Sequence, residues 1–241
     1  MADFLLVHGA WHGGWCWQRL TPLLIQKGHR VHAVTLTGLG ERSHLLSPQV
    51  GLSTHVEDVV AAIACEELSN VILVGHSYAG MVITGVAERL SGVIAHLVYL
   101  DAILPLPGES WSDQQSAEVV ESRVKAAAAS GGLSLPAPDP EVFGLVGEDR
   151  EWVARRQTPH PFATYQEKLS FDFERWAKFP RSYIDCQKPA LASINGSRER
   201  MRGQSGWEVV VLEAGHDPMV QCPSDLAAAL HRLATPAGRD R

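Results

Sequence analysis

The fold of this chain is decided by one stretch of sequence, Val71-Ile72-Leu73-Val74-Gly75-His76-Ser77-Tyr78-Ala79-Gly80. Its first four residues are all apolar, which is typical of a strand buried on both faces of a sheet. A helical pattern follows at once, so the chain must turn sharply, and Gly75, Ala79 and Gly80 supply the small residues that such a turn needs. The turn projects the side chain of Ser77 from the carboxyl end of the strand, beside the first turn of a helix.

Similar apolar runs recur on both sides of this stretch and alternate with helical patterns. Strands are predicted at residues 4–7, 31–36, 71–74, 94–100, 181–186 and 207–213, and helices at 16–27, 53–67 (with Ser53 as its cap), 78–90 and 223–234. This alternation is typical of a parallel sheet that carries helices on both faces. The sequence therefore predicts an α/β fold.

The pattern changes after the fourth predicted strand. The stretch from residue 105 to residue 180 holds 8 of the 14 prolines, with helical patterns such as 111–129 and no convincing strand. The strand pattern then returns. We therefore expect a mostly helical insertion at 106–180 within an α/β core formed by 1–105 and 181–241.

The composition excludes several classes of protein. With 241 residues, 45% hydrophobic and 20% charged, the chain suits one large folded domain and not a disordered protein. The net charge is −6 and no stretch is strongly basic, so we expect no nucleic-acid partner. The small charge cluster Arg198-Glu199-Arg200 is interpreted as a solvated surface.

Membrane and metal partners are not expected either. No apolar run is long enough to cross a bilayer, and no leader precedes the first strand, so we predict a cytoplasmic protein. The four cysteines Cys16, Cys65, Cys186 and Cys222 lie far apart and lack metal-ligand spacing. They are predicted to be buried thiols, with no metal site.

Ser77 occupies the place in the turn that a nucleophilic serine requires, exposed at the sheet edge and close to the positive end of a helix. The usual pattern is Gly-x-Ser-x-Gly, and Ala79 departs from it by one methyl group. The alternative role for Ser77 is that of a helix cap. The context of strand, turn and helix favours the nucleophile.

A serine hydroxyl needs a base to remove its proton, and His216 is the candidate among 11 histidines. It lies in Gly215-His216-Asp217, after the last predicted strand and before the last helix. A loop at the carboxyl edge of a parallel sheet brings such a base within reach of Ser77. Histidines inside or just before predicted helices and strands are expected to be packing or surface residues; these are His29, His32, His55, His96 and His231.

The first strand ends in a glycine-rich loop, His8-Gly9-Ala10-Trp11-His12-Gly13-Gly14. Right-handed crossovers place the first and third strands side by side, so this loop is expected next to Ser77. The backbone N–H groups of Ala10 and Tyr78 then form the predicted oxyanion hole. The alternative is a glycine-rich turn without a catalytic part. Neither phosphate-binding glycine pattern is present.

Four segments occur together in a recognisable order: His8 to Trp17, Gly75 to Gly80, Leu97 to Ala102, and Gly215 to Asp217. They resemble the α/β-hydrolase superfamily. More narrowly, they resemble its small esterase and hydroxynitrile-lyase-like branch, which includes plant methyl esterases and bacterial ester or carbamate hydrolases. The resemblance implies about six parallel strands, a helical cap inserted after the fourth, and a Ser–acid–His triad without a cofactor.

The sequence leaves the acid of this triad open between two residues. Relatives carry an aspartate a few residues beyond the strand at 181–186, but no carboxylate follows that strand here. Asp101 ends the fourth strand, where some members of the superfamily have their acid. We expect Asp101 to orient His216, with Asp185 as the alternative because it lies inside its strand. Asp217 adjoins His216 and would need an unusual bend to reach the ring.

The resemblance allows more than one reaction. In plant hydroxynitrile lyases a lysine follows the catalytic histidine and holds cyanide, whereas here Asp217 stands there and would repel it. A non-catalytic ligand-binding protein on this fold would usually have lost Ser77 or His216. We therefore favour a serine hydrolase that cleaves a carboxylic ester, with a carbamate hydrolase, for instance of benzimidazole carbamates, as the alternative.

Aromatic residues are frequent in the loop and in the insertion. We expect Trp11, Trp15, Trp111 and Trp152 to bind the substrate, which suits a compact, apolar or aromatic ester. The expected partner is thus a small molecule. The oligomeric state stays open and includes a homodimer.

Overall fold

A computed structural model describes residues 1–235, so the last six residues of the predicted core lie outside the described part. The strands are β1 (Asp3–Val7), β2 (Arg30–Val34), β3 (Val71–His76), β4 (Ile94–Leu100), β5 (Ser134–Leu135), β6 (His160–Pro161), β7 (Arg181–Cys186) and β8 (Trp207–Leu212). The helices are α1 (Thr21–Gln26), α2 (Leu52–Cys65), α3 (Ala79–Arg89), α4 (Ala117–Ala128), α5 (Gly147–Ala154), α6 (Ala163–Gln166), α7 (Phe173–Trp176), α8 (Asn195–Arg202), α9 (Pro218–Gln221) and α10 (Pro223–Ala234). Short 3₁₀ segments span Gly14–Trp17, Gly40–Leu45, Ser112–Gln114, Pro140–Phe143 and Ala192–Ile194.

Six of these strands form one parallel sheet, in the order β2-β1-β3-β4-β7-β8. The predicted α/β fold with about six parallel strands is therefore confirmed. The first and third strands are neighbours, with Val7 opposite Gly75 in the register. The order of strands reverses between them, so the loops after β1 and β3 leave the same edge of the sheet side by side.

The burial of each strand follows its place in the sheet. All six residues of β3 are buried, as its continuous apolar run predicts. The outermost strands β2 and β8 are partly exposed, and Val209 and Val211 of β8 face solvent. The central strands, which carry the site, are therefore the most deeply packed part of the sheet.

Residues 106–180 lie between β4 and β7 and contribute nothing to the main sheet. They contain α4 to α7, but the expectation of no strand is wrong, since β5 and β6 pair as a small two-stranded antiparallel sheet. The helix predicted at 111–129 begins later, at Ala117, because the Ser116 side chain caps it by accepting from the N–H of Val119.

Two other predicted helices differ at their boundaries. The helix expected at 16–27 is split into a 3₁₀ segment and α1, with Pro22 in the first turn of α1. Helix α2 begins one residue before Ser53, and Gly51 is its cap; the N–H of Ser53 instead donates to Glu167 of the insertion at 3.1 Å. Helix α8 was not predicted.

The four cysteines are free. Cys16 and Cys186 are buried as predicted, whereas Cys222 is half-buried and Cys65, the last residue of α2, is exposed. No helix within residues 1–235 combines the length and the apolar character that a membrane span requires. In the same part of the chain, no three His, Cys, Asp or Glu side chains are grouped so that they could hold a metal ion.

Candidate active site

Ser77 lies in the sharp turn between β3 and α3 and is the only residue from 71 to 80 that is not fully buried. Its φ angle is +55°, a left-handed conformation that non-glycine residues rarely adopt. The surrounding backbone holds this conformation: the Ser77 N–H donates to the Leu100 carbonyl at 3.2 Å, and the Ser77 carbonyl accepts from the Ile103 N–H at 3.0 Å. The end of β4 thus fixes the serine.

Close backbone contacts explain why Ala79 is tolerated in the turn. A Cβ on Gly80 would lie 2.0 Å from the carbonyl oxygen of Ile103, and a Cβ on Gly75 would lie 2.8 Å from that of Ala79. Both positions therefore exclude any side chain, whereas the methyl group of Ala79 is accommodated in the core. In this chain the turn requires glycine at Gly75 and Gly80.

Ser77, His216 and Asp101 are connected by two short hydrogen bonds. The Ser77 hydroxyl donates to Nε2 of His216, with 2.8 Å between the atoms, and Nδ1–H of His216 donates to Oδ2 of Asp101 at 2.7 Å. The backbone also positions the histidine, because its N–H donates to the Phe143 carbonyl at 2.9 Å and its carbonyl accepts from Nε2 of His76 at 2.8 Å. An imidazole and a carboxylate thus stand behind the serine hydroxyl.

Asp101 follows β4 directly and is fully buried, with a φ angle of +42°. Its N–H donates to the Ile184 carbonyl of β7 at 2.8 Å. The carbonyl of the next residue, Ala102, accepts a hydrogen bond from the Tyr183 hydroxyl at 2.9 Å. Strand β7 therefore holds the backbone of Asp101 in a strained conformation that directs the carboxylate at His216.

The second oxygen of this carboxylate is held by Arg198, a side chain of α8 that is only 3% exposed. Its guanidinium donates to Oδ1 of Asp101 at 2.7 Å and, through Nε, to Oδ1 of Asp185 at 2.7 Å. Burial lowers the pKa of Arg198, but the two carboxylates outweigh burial and raise it. Arg198 therefore stays charged between two buried aspartates.

The interpretation of Arg198-Glu199-Arg200 as a solvated surface is thus wrong for both arginines. Arg198 is buried, and Arg200 forms a half-buried ion pair with Glu109 at the start of the insertion. The alternative acid, Asp185, does not contact His216; it forms ion pairs with Arg198 and Arg202. The polar sequence of α8 does not indicate that one of its arginines is buried.

The glycine-rich loop after β1 passes directly beside Ser77. A Cβ on Gly9 would lie 2.9 Å from Cβ of Ser77, so only glycine fits there. His8 fixes the loop by donating from Nδ1 to the Gly9 carbonyl at 2.8 Å and accepting the Leu36 N–H at Nε2, 3.1 Å away. Burial lowers the pKa of His8 to about 3, so its imidazole remains neutral.

The two predicted oxyanion donors belong to the two loops that meet at Ser77. Within residues 1–235, no protein acceptor takes the backbone N–H of Ala10 or that of Tyr78. The Ala10 carbonyl is bound by Nδ1 of His12 at 2.8 Å, which orients its peptide unit. The Tyr78 ring is buried, and its hydroxyl donates to Nδ1 of His55 at 3.1 Å.

Asp217 does not reach the ring of His216 but forms a buried ion pair with His12, 3.0 Å from Nε2. Burial raises the pKa of Asp217, but the imidazole of His12 and other nearby histidines outweigh it and hold the pKa at about 2. Burial lowers the pKa of His12, and the carboxylate outweighs that effect and raises it. Sequence reasoning missed this pair, which anchors the glycine-rich loop to the loop of His216.

A cavity of about 350 Å³ opens beside Ser77 and His216, with walls from both the core and the insertion. Trp11 and Trp111, two of the four tryptophans expected to bind the substrate, line it. The structure does not bring the other two tryptophans to it: Trp15 and Trp152 contact each other, with ring centres 5.2 Å apart. Further walls come from Ile103, Leu135, Pro136, Val142, Phe143 and Leu191.

Comparison with known proteins identifies a matching family and several relatives of this chain. A model described as the alpha/beta hydrolase family matches residues 4–229. The chain is 43% identical over 242 residues to a carbendazim hydrolyzing esterase from Nocardioides sp. (strain SG-4G), covering 97% of this chain and 100% of the relative. It is 29% identical over 270 residues to a pyrethroid hydrolase from Sphingobium wenxiniae, covering 100% of this chain and 94% of the relative.

A solved structure has a similar overall backbone. An extracellular alpha/beta-hydrolase from a Paenibacillus species superposes with a TM-score of 0.85 at 24% identity, with 100% of both chains covered, so it shares the fold. The family model spans nearly the whole described chain, and the glycine-rich loop and the turn at Ser77 lie within it. The resemblance seen in the sequence is therefore confirmed, and the chain belongs to the alpha/beta hydrolase family.

Proposed function

We propose that this protein is a serine hydrolase that cleaves a compact, apolar or aromatic carboxylic ester through an acyl-enzyme intermediate. Ser77 is the nucleophile, His216 the general base and acid, and Asp101 the carboxylate that orients His216. The observation that carries the proposal is the chain of hydrogen bonds from Ser77 through His216 to Asp101, at 2.8 and 2.7 Å, on the wall of a largely apolar cavity.

The first half of the reaction follows from this geometry. Nε2 of His216 takes the hydroxyl proton while Oγ of Ser77 attacks the ester carbonyl carbon. The negative charge that develops on the carbonyl oxygen is stabilised by the N–H groups of Ala10 and Tyr78, which have no protein acceptor among the described residues. The imidazolium of His216 then protonates the leaving alkoxide, which departs as an alcohol.

The second half releases the acid. Water takes the place of the alcohol, His216 removes its proton, and the hydroxide attacks the acyl carbon. Collapse of the second tetrahedral intermediate returns the proton to Ser77. Asp101 stabilises the imidazolium in both halves and fixes Nδ1 as the protonated nitrogen of the resting ring. In this proposal, residues 1–105 and 181–241 form the catalytic core and 106–180 form the cap over the site.

The experiment compares wild type with Ser77→Ala on p-nitrophenyl acetate and butyrate. We expect a loss on the order of 10⁴-fold or more. The matched control is Ser182→Ala, because Oγ of Ser182 also lies 2.8 Å from a histidine, His96, but away from the cavity. Ser182→Ala should keep activity within about twofold. A fluorophosphonate should phosphonylate Ser77 alone, and Ser77→Ala activity within tenfold of wild type would refute the proposal.

The second candidate is hydrolysis of a carbamate ester by the same residues. It is favoured by the 43% identity to a carbendazim hydrolyzing esterase and by Trp11 and Trp111 in the cavity, which suit a planar aromatic substrate. Attack by Ser77 would expel methanol and leave a carbamoyl-enzyme. Water would then release a carbamic acid, which loses carbon dioxide to give the amine. Release of 2-aminobenzimidazole from methyl benzimidazol-2-ylcarbamate tests this candidate.

The same experiments would also detect two other activities. A hydroxynitrile lyase would release cyanide from mandelonitrile, but the residue after His216 is Asp217, which pairs with His12 and supplies no cation to hold cyanide. A non-catalytic ligand-binding protein would bind an ester without turnover in both wild type and Ser77→Ala. The cytoplasmic location and the homodimer stay predictions from the sequence.

A further inference from the structure

Arg123 is the one side chain with a permanent charge among the described residues that line the cavity beside Ser77. It belongs to α4 of the insertion and is half-buried. The guanidinium carbon lies 4.8 Å from the ring centre of Trp111, 5.3 Å from that of Tyr165 and 5.4 Å from that of Trp11. Three aromatic rings therefore surround the cation at distances typical of cation–π contacts.

Nothing in the described part of the chain neutralises this charge. The guanidinium of Arg123 forms neither an ion pair nor a hydrogen bond with any residue from 1 to 235. On its own helix, the positions three and four residues away are Val119, Val120, Ala126 and Ala127, none of which can accept a proton or a hydrogen bond through its side chain. Burial lowers the pKa of Arg123, as expected for a cation removed from water without a counterion.

The buried guanidinium of Arg198 has a different environment. Arg198 donates to two carboxylates and two backbone carbonyls, which satisfy most of its N–H groups. The rings around Arg123 attract its charge, but they offer no strong acceptor in the plane of the guanidinium, where its five N–H donors point. The cavity thus combines apolar walls with a charged group that lacks an acceptor.

We propose that Arg123 recognises a carboxylate on the substrate, so that the preferred substrates are half-esters: compact esters that carry a free carboxylate besides the ester that Ser77 attacks. The inference rests on the proposed ester hydrolysis. A carboxylate fits the planar fork of a guanidinium through two parallel hydrogen bonds, and partial exclusion of water strengthens them. The remaining apolar walls contact the hydrocarbon part of the substrate.

The test uses pairs of p-nitrophenyl esters of equal shape. Mono-p-nitrophenyl glutarate carries a terminal carboxylate, and p-nitrophenyl 5-methylhexanoate has an isopropyl group in its place; the succinate and adipate analogues vary the spacing. We expect wild type to favour the best half-ester over its neutral partner by on the order of 10–100-fold in kcat/KM, mainly through KM. Arg123→Met should abolish this preference and leave the neutral esters within about threefold.

Two further variants separate recognition from structure. Arg123→Lys keeps the charge but loses the planar fork, and should retain part of the preference. Lys125→Met removes an exposed cation from the same helix and should change neither series. Free glutarate should inhibit hydrolysis of the neutral ester competitively, and Arg123→Met should weaken this inhibition at least tenfold.

The outcomes distinguish the two proposals. If wild type hydrolyses both series without favouring the carboxylate at any spacing, or if Arg123→Met slows both series equally, the role of Arg123 is wrong while Ser77 chemistry stands. If neither series is hydrolysed, or if Ser77→Ala hydrolyses them as fast as wild type, the proposed function itself is wrong.

Discussion

The guanidinium of Arg198 lies 2.7 Å from Oδ1 of Asp101, on the opposite side of the carboxylate from His216. One aspartate thus receives hydrogen bonds from a histidine and from a buried arginine, and neither of its oxygens is left to water. Asp185 completes the arrangement by binding the same guanidinium. The acid that orients His216 is therefore held by a charged scaffold as well as by its backbone.

The role of Asp101 is tested by replacing its charge without changing its size. Asp101→Asn should lower kcat/KM for p-nitrophenyl butyrate by about 10²–10⁴-fold at neutral pH, because the amide favours the wrong tautomer of His216. Asp185→Asn is the control, since Asp185 touches Arg198 but not His216; it should cost less than tenfold. The reverse order of the two losses would identify Asp185 as the functional acid.

Arg198 is expected to position Asp101. The double variant Arg198→Met/Asp185→Asn removes the cation together with its second carboxylate, so the net charge of the buried group is unchanged. Oδ1 of Asp101 then loses the hydrogen bond from Arg198, and kcat/KM for p-nitrophenyl butyrate should fall by about tenfold at neutral pH, mainly through kcat. Arg202→Met removes only an exposed partner of Asp185; an equal loss in this control would contradict the prediction.

Ser77 and His216 should behave as one unit. His216→Ala is expected to reduce hydrolysis about as much as Ser77→Ala, on the order of 10⁴-fold or more, because either change prevents the same proton transfer. The double variant should be little worse than either single variant. Losses that multiply in a double-mutant cycle of kcat would mean that His216 acts independently of the serine.

The His12–Asp217 pair should contribute stability that depends on pH. The pKa of Asp217 is depressed to about 2, so its contribution is present above about pH 4 and is lost as the pH falls through about 2. The pKa of His12 is raised, so its contribution is complete below about pH 6.5 and is lost as the pH rises through the raised value.

Asp217→Asn should therefore lower the free energy of unfolding by about 3–5 kcal/mol near pH 5, and by less as the pH approaches 9. Denaturant melts across this range provide the measurement. Asp139→Asn removes an exposed ion pair with Arg150, and the free energy of unfolding of this control should stay close to that of wild type at every pH. A cost for Asp217→Asn that does not decline above neutral pH would show that the pair does not carry these charges.

Substitutions at two glycines test the close packing behind Ser77. Gly80 and Gly196 are each the second residue of a helix, α3 and α8. A Cβ on Gly80 would clash with the Ile103 carbonyl, whereas a Cβ on Gly196 would meet nothing within 4 Å. Gly80→Ala should destabilise the fold by several kcal/mol and lower activity, because Ile103 follows Asp101 closely. Gly196→Ala should be neutral or stabilise by up to about 1 kcal/mol in the same melts.

Much of this architecture could be predicted because it depends on local sequence. Continuous apolar runs identify the strands of a buried parallel sheet, and the small residues around Ser77 identify the turn. The handedness of crossovers then brings the loops after β1 and β3 together, and with them Ser77 and Ala10. The choice of Asp101 over Asp185 also agrees with the hydrogen bond to His216.

The missed contacts link residues far apart in sequence. Arg198 lies 97 positions from Asp101, on a short polar helix whose pattern is typical of a surface. One signal was available: Asp101 and Asp185 belong to the ends of neighbouring strands, and two buried carboxylates so placed require a cation. For Trp15 and Trp152, composition alone could not tell aromatic residues that line a cavity from those that pack against each other.

Arg198 also affects the balance of charge around the candidate site. Among the buried side chains of this cluster, two carboxylates face one guanidinium, that of Arg198, while the exposed Arg202 meets Asp185 from outside. Once His216 accepts the serine proton, this buried group becomes neutral as a whole. A cluster sealed from water is least costly when its charges cancel. In the proposed reaction the matching negative charge develops on the substrate oxygen, next to the N–H groups of Ala10 and Tyr78, so proton transfer separates charge between two places that can each stabilise it, which favours the transition state over the resting state.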